Sequence, residues 1–298
     1  MFRGSVVASV TPYKKDGNID CCAVRRLASY FAGEGMKGVF VIGSTGEFFL
    51  LGPKQRCQII RNAAASVKGK VRLFAGVCDL GPAATLQRLK EAKDCGAEIG
   101  VMTAPLGMAL EQKQLVDYVL RIADNSPIPV AVYHHPRYPT EFNLESLKKL
   151  FKHGNITAIK DSEDNLNRLN KILAMAKGTR VSVLTGKEKF VRHCLVNGGQ
   201  GSVTSLGNIV PSWMASIQRE CEKGDMKKAL QWQKRLDMLF VDVFESELQL
   251  PTLARFTWML KIFLADKGIC GMYAFDGSLP DRKFIKQVKD IYRKHDLS

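Results

Sequence analysis

The run Leu73-Phe74-Ala75-Gly76-Val77, then residues 82–96, then Ile99-Gly100-Val101-Met102-Thr103, decides the fold. Each outer segment is short and continuously apolar, as a strand covered on both faces would be. The segment between them opens at Pro82, places Leu86, Leu89 and Ala92 on one helical face, and closes at Gly96. Proline suits the first turn of a helix and glycine its exit. Such strands, linked by an amphipathic helix, imply a parallel sheet with helices packed over it.

The same alternation runs outward in both directions. Strands are predicted at residues 6–10, 38–42, 73–77, 99–103, 130–134, 156–160, 181–185 and 201–204. Helices are predicted at 23–35, 53–67, 82–96, 110–123, 144–152, 166–176 and 188–196. Eight strands separated by helices suggest a closed (β/α)8 TIM barrel, with a doubly wound open sheet as the alternative. After Asn208 the strand signal stops, and 211–223, 226–244, 253–266 and 281–294 read as helices. The expected organisation is a barrel domain over 1–208 and a C-terminal helical appendage over 209–298. No Gly-, Ser- or Pro-rich linker divides them, so the two parts are expected to pack together. The last helix alternates bases with Phe284, Ile285, Val288, Ile291 and Tyr292, the pattern of an amphipathic helix lying on the protein.

The chain has 298 residues, 46% of them hydrophobic and 24% charged, which fits a globular protein and excludes a disordered one. No apolar run reaches the ~18 residues of a membrane span. The N-terminus shows no secretory leader, so a cytoplasmic location is expected. Its eight cysteines are scattered with no C-x-x-C pair, which reads as reduced, packed thiols. The net charge is 44 − 29 = +15. A polyanion partner would explain it, and so would an anionic small substrate or a basic solvated surface. Bases such as Lys54, Arg56, Arg88, Lys90 and Lys93 are spread along the chain without a basic run, which argues against nucleic acid.

In a barrel of this kind chemistry is carried where strands end. The second strand runs into Gly43-Ser44-Thr45-Gly46-Glu47, a turn with two glycines, two hydroxyls and successive backbone N–H groups. It could cradle a carboxylate or phosphate, or serve as a plain strand-to-helix turn with a capping hydroxyl. The fifth strand ends in Tyr133-His134-His135-Pro136, and the sixth in Ile159-Lys160-Asp161. Tyr133 could relay protons or pack as an aromatic. A lysine closing an apolar strand is unusual, because burying an ammonium is costly. Desolvation favours the free amine, which a Schiff-base nucleophile requires. The alternative is a lysine that snorkels into solvent.

These residues, taken together, resemble the class I Schiff-base pyruvate aldolases of the dihydrodipicolinate synthase and N-acetylneuraminate lyase superfamily. The ordered set includes Val10-Thr11-Pro12-Tyr13, the 43–47 turn, Ala75-Gly76-Val77, Cys95-Gly96-Ala97-Glu98, Tyr133 with Pro136, Ile159-Lys160-Asp161, Thr185-Gly186 and residues 198–204. The resemblance implies that Lys160 forms an imine with pyruvate or a 2-oxo acid containing it. It implies that Tyr133 relays protons, and that Ser44, Thr45 and Gly46 hold the carboxylate. Val203 would offer a backbone carbonyl near the imine. It implies no metal and no organic cofactor, and a homotetramer as the usual assembly.

The pattern also departs from the family. The synthases carry a tyrosine after the fourth strand, where this chain has Thr103-Ala104-Pro105-Leu106-Gly107-Met108. Their second-substrate arginine is matched only by Arg137, one place early, with Tyr138 in the expected position. The acidic pair of the sialic-acid lyases reads Lys187-Glu188 here, so Glu188 is retained and one charge is reversed. Of His134 and His135, one should line the pocket and the other pack behind the sheet, because adjacent strand residues face opposite sides. His134 is assigned as the substrate contact. The expected function is a lyase or aldolase acting on a 2-oxo acid. A synthase condensing pyruvate with aspartate semialdehyde is the first alternative, and a non-catalytic 2-oxo-acid-binding protein the second.

Overall fold

The computed structural model describes residues 1–245, 248 and 252–297. Eight parallel strands close into a barrel in sequence order, with β8 pairing back onto β1. They are β1 (Gly4–Ala8), β2 (Gly38–Val41), β3 (Arg72–Gly76), β4 (Ile99–Met102), β5 (Val130–His134), β6 (Ile156–Asp161), β7 (Ser182–Thr185) and β8 (Gly201–Thr204). The open-sheet alternative is excluded, because β8 pairs with β1 and none of these strands is left as an edge.

The period-two alternation of each strand divides its residues between two layers. Val6, Ala8, Phe40, Phe74, Val101, Ala131, Tyr133, Ala158, Leu184 and Val203 pack together as the barrel interior. Val7, Val39, Val41, Leu73, Ala75, Val130, Val132, Ile159 and Val183 face outward into the larger core beneath the helices. Both faces are therefore apolar, which explains the uninterrupted hydrophobic runs in the sequence.

The outer ring is α1 (Cys21–Gly33), α2 (Pro53–Val67), α3 (Pro82–Asp94), α4 (Gln112–Asn125), α5 (Leu144–Leu150), α6 (Leu166–Ala176), α7 (Val191–Val196) and α8 (Pro211–Lys223). Capping fixes several starts: the side chains of Asp20, Asn143 and Asn165 accept backbone N–H groups of α1, α5 and α6. The segment 188–196, read as one helix, is a 3-10 turn (Glu188–Phe190) followed by α7. The turn keeps Glu188 at the barrel mouth before the helix begins. Helix α8 packs against β1 in the eighth place of the ring. The boundary expected at residue 208 falls between the 3-10 turn Leu206–Asn208 and α8.

Among the described residues three further helices follow: α9 (Met226–Phe244), α10 (Leu253–Asp266) and α11 (Arg282–Lys294). Helix α10 is apolar nearly all round, as a helix enclosed by others must be, and Met259, Leu260, Ile262, Phe263 and Leu264 are buried. Helix α11 lies on it through Phe284, Val288 and Tyr292, and the Tyr292 hydroxyl donates to the Met259 carbonyl. Among the described residues no helix is long and apolar enough to cross a membrane.

Candidate active site

A cavity of about 520 Å³ opens at the carboxyl ends of the strands. Tyr133, Lys160, Ser44, Thr45 and Val203 line it together. Parallel pairing of β5 and β6 sets Tyr133 beside Lys160, after a register shift between Val130 and Ala131. Ala131 and Ala158 are interior, so two residues further along each strand Tyr133 and Lys160 point the same way. The Lys160 Nζ lies 4.0 Å from the centre of the Tyr133 ring and 5.4 Å from that of Phe40. Lys160 is 8% exposed. Among the described residues no carboxylate lies within ion-pair distance of it, and the adjacent Asp161 is held by Arg168 at 3.0 Å. Gly186 is required here: a Cβ would meet the Lys160 Cε at 3.1 Å and the Ser162 Oγ at 2.0 Å.

The 43–47 turn bends sharply, with Ile42 and Glu47 both at positive φ (60° and 57°). Its internal backbone bonds use the N–H groups of Glu47 and Phe48, not those of Ser44 and Thr45. Gly46 does not line the cavity, contrary to its assignment as a substrate contact. Its carbonyl accepts the Thr11 hydroxyl at 2.6 Å, and a Cβ would crowd Ile42 N and Ser9 O at 3.0 and 3.1 Å. Glu47 anchors the turn from behind. One of its carboxylate oxygens lies 3.3 Å from the Lys261 Nζ on α10, and the other accepts the Thr257 hydroxyl at 3.4 Å. Burial pushes the Glu47 carboxyl up and the Lys261 amine down, and their mutual attraction opposes both shifts.

Tyr138 belongs to the site and the sequence reasoning did not place it there. Its hydroxyl bonds the Ser44 Oγ at 2.9 Å, and its ring meets Tyr133 edge-on, with centres 5.9 Å apart at 88°. It is 7% exposed. Burial, and then the neighbouring Tyr133 phenol, hold the Tyr138 phenol far above its ordinary value, so it stays protonated. The signal was in the sequence: the resemblance puts an arginine at the place of Tyr138 and a tyrosine in the loop after the fourth strand, and this chain has neither there.

The histidine assignment is reversed. His134 points out of the barrel and is 1% exposed. Its Nδ1 accepts the Phe142 N–H at 3.3 Å, so Nε2 carries the proton toward Glu163 at 3.2 Å. With Glu141 and Glu163 it brings three potential metal-ligand atoms within 4.8 Å of one another. A proton on Nε2 leaves no lone pair there for an ion. His135 lines the cavity instead. Its Nδ1 accepts the Arg137 N–H at 3.1 Å. Burial first, then the charges of Arg137, Lys160 and Lys187, lower its pKa to about 3, so it is neutral at ordinary pH. Strand parity alone favours this choice: Tyr133 faces in, so His134 faces out.

Arg137, Lys187 and Glu188 also line the cavity. One oxygen of Glu188 accepts Ser205 N–H, Ser205 Oγ–H and Leu206 N–H, each at 3.2 Å, which pins the loop after β8. Three phenylalanines absent from the sequence-based set, Phe240, Phe244 and Phe256, complete the wall from α9 and α10.

Chemically, the site offers a buried amine, phenol hydroxyls and a hydroxyl-bearing turn around one small volume. Comparison with known proteins agrees with the fold. A model of the Dihydrodipicolinate synthetase family matches residues 1–262. The 4-hydroxy-tetrahydrodipicolinate synthase of Syntrophus aciditrophicus (strain SB) is 30% identical over 247 residues, covering 81% of this chain and 84% of that protein. The enzyme of the same name from Gluconacetobacter diazotrophicus is 27% identical over 245 residues, 82% of each chain. Among solved structures, YagE from E. coli K12, a prophage protein of the dihydrodipicolinic acid synthase family in complex with pyruvate, superposes with a TM-score of 0.91. It is 24% identical and each chain is covered fully. By sequence over most of its length, this chain belongs to the dihydrodipicolinate synthetase family.

Proposed function

We propose that this protein is a Schiff-base aldolase or lyase with pyruvate as one partner, and that Lys160 forms the imine. The observation that carries the reading is the Lys160 amine, buried without a carboxylate partner among the described residues, 4.0 Å from the Tyr133 ring centre at a cavity shared with Ser44 and Thr45. A free amine there adds to the C2 carbonyl of a 2-oxo acid. The carbonyl oxygen takes up protons and leaves as water, giving an iminium. When the C3–C4 bond of a 4-hydroxy-2-oxo acid breaks, its electron pair moves toward the iminium nitrogen. The C4 hydroxyl loses its proton as the aldehyde forms, the enamine takes a proton at C3, and water releases pyruvate. The reverse sequence joins pyruvate to an aldehyde.

In this reading Tyr133 carries these protons, supported by the Tyr138 ring against it and the Tyr138–Ser44 hydrogen bond beyond. Ser44 and Thr45, with their backbone N–H groups, take the pyruvate carboxylate. Val203, which lines the same cavity, offers its backbone carbonyl near the imine. The proposed reaction calls on no metal or organic cofactor.

Trapping with borohydride in the presence of pyruvate tests the reading. A covalent adduct on Lys160 is expected, and Lys160→Ala should lack it. Absence of an adduct at saturating pyruvate would leave only the non-catalytic binding protein. The second reading, condensation of pyruvate with aspartate semialdehyde, is supported by the names of relatives at 27–30% identity. Pyruvate consumption with that aldehyde alone, and with no other, would select it. A homotetramer in a reducing cytoplasm belongs to the same proposal. It agrees with eight free cysteines and is checked by native mass spectrometry.

A further inference from the structure

Behind the two strand ends that carry Tyr133 and Lys160, a chain of hydrogen bonds closes on itself. Tyr133 and Lys160 are paired in the β5–β6 ladder, and the next and last pair is His134 with Asp161. By strand parity these two face away from the cavity, and they are 1% and 2% exposed. Asp161 Oδ2 accepts the Arg168 Nε–H at 3.0 Å, and Arg168 Nη2 donates onward to the Phe142 carbonyl at 2.8 Å. The Phe142 N–H donates to His134 Nδ1 at 3.3 Å, and His134 Nε2 donates to Glu163 Oε2 at 3.2 Å. The Glu163 N–H donates to Asp161 Oδ1 at 3.1 Å, which completes the ring. Arg168 enters from the first turn of α6, and every other member lies on β5, on β6 or in the loop after one of them.

The ring matters because no bond holds the reacting amine itself. Among the described residues no hydrogen bond or ion pair fixes the Lys160 Nζ, which touches only ring faces. Its place 4.0 Å from the Tyr133 ring centre therefore follows from the alignment of the two backbones. The ladder alone secures that alignment poorly. Its register shifts between Val130 and Ala131, and past the last pair the Ser162 N–H donates to the His134 carbonyl at 3.0 Å. Buried hydrogen bonds in a closed network reinforce one another, and opening one strands its partner. A misplacement of reacting groups by about 1 Å can cost ~10²-fold in rate.

We propose that the ring of Asp161, Arg168, Phe142, His134 and Glu163 holds Lys160 against Tyr133, with His134 and Glu163 as positioning residues that touch no substrate. The inference rests on the Lys160 imine proposed above and says what keeps its amine in place. It also gives a role to the buried histidine that the cavity does not use.

Pyruvate is the only probe required, so the test does not depend on the aldehyde partner. Two rates are read on the full-length protein. One is borohydride trapping at Lys160. The other is exchange of the pyruvate methyl hydrogens with deuterated water, followed by NMR: the iminium loses a C3 proton, the enamine takes a deuteron there, and water releases pyruvate. Glu163→Ala opens the ring, and so does His134→Asn, whose shorter side chain cannot span from the Phe142 N–H to Glu163. Each should lower both rates by about tenfold or more, with half-saturating pyruvate within about twofold, because Ser44 and Thr45 stand outside the ring. Glu163→Gln keeps the accepting oxygen and should restore both rates. The double variant should be no slower than the slower single one, since the ring opens only once. Urea unfolding gives the folded fraction to which each rate is referred. Full rates per folded molecule in either ring-opening variant overturn the inference and leave the imine standing. So does a Glu163→Gln protein as slow as Glu163→Ala. An unmodified protein that pyruvate and borohydride do not label overturns both readings.

Discussion

Two lysines are buried among the described residues, and they differ in what meets the amine. Lys160 ends a barrel strand and Lys261 lies mid-helix in α10. Each places its amine over a tyrosine ring, at 4.0 Å from the centre of Tyr133 and 4.7 Å from that of Tyr13. Lys261 is 0% exposed, is paired with Glu47 and donates to the Tyr273 carbonyl at 3.0 Å. Lys160 faces the cavity with no carboxylate beside it among the described residues. The Lys261 amine, engaged by a carboxylate and a carbonyl, serves as a brace. One left without a partner is available to a reacting carbonyl. The brace also serves the chemistry, because Glu47 belongs to the turn that presents Ser44 and Thr45.

The sharpest test of the contrast is removal of each amine. Lys160→Ala is expected to cut turnover by more than ~10⁴-fold, the scale of losing a nucleophile, and to abolish the borohydride adduct in the mass spectrum. Activity within tenfold of the original would end the comparison. Lys261→Met leaves Glu47 buried and unpaired, and should cost about 3–5 kcal/mol in urea unfolding. Lys160→Met removes an amine that has no partner to strand, so its unfolding midpoint should not fall. Equal destabilisation by the two substitutions would show that pairing does not distinguish the sites.

A smaller effect is expected from the hydroxyls around Lys160. Tyr138→Phe keeps the ring contact with Tyr133 and removes the bond to Ser44. It should lower kcat by ~10²-fold, the lower end for proton-transfer groups, while the pyruvate adduct still forms. Combined with Ser44→Ala the losses should not add, since both remove the same bond. Additive losses in steady-state kinetics would separate the two residues.

The smallest effect concerns pH. The pKa of His135 falls from 6.5 to about 3 on folding. Between those values the unfolded chain binds the extra proton and the folded chain does not. The stability that His135 contributes by staying neutral is therefore complete above pH 6.5 and is lost as pH falls toward about 3. His135→Gln should give a shallower decline of melting temperature between pH 7 and pH 4. Parallel profiles would count against the burial and the cationic surroundings as the cause.

Much of the barrel was legible because strand and helix have different periods. Helices 53–67, 166–176, 211–223, 226–244 and 253–266 begin and end where the periodicity places them. So do the strands at 130–134 and 201–204. The fourth ring helix starts at Gln112, two residues later than read, because Leu110 is part of the loop and its N–H donates to Thr140 Oγ1 at 2.8 Å. In the site, Lys160 and Tyr133 could be picked out from their positions at strand ends. His134 was chosen over His135 against the parity that Tyr133 itself establishes. Phe240, Phe244 and Phe256 looked like ordinary apolar positions of helices, since helical spacing does not say whether a face meets a core or a cavity.

By itself the sequence determined the succession of strands and helices, and with it a parallel sheet under helices and the strand end that carries Lys160; closure into a barrel was settled by the pairing of β8 with β1. Those features depend on local spacing and on which face of each element is apolar, and both are written along the chain. Only the tertiary structure decided that Tyr138 meets Ser44, 94 residues away, and that Lys261 meets Glu47, 214 residues away. Such contacts depend on how loops turn and how helices seat on the barrel. No periodicity within a single element encodes them.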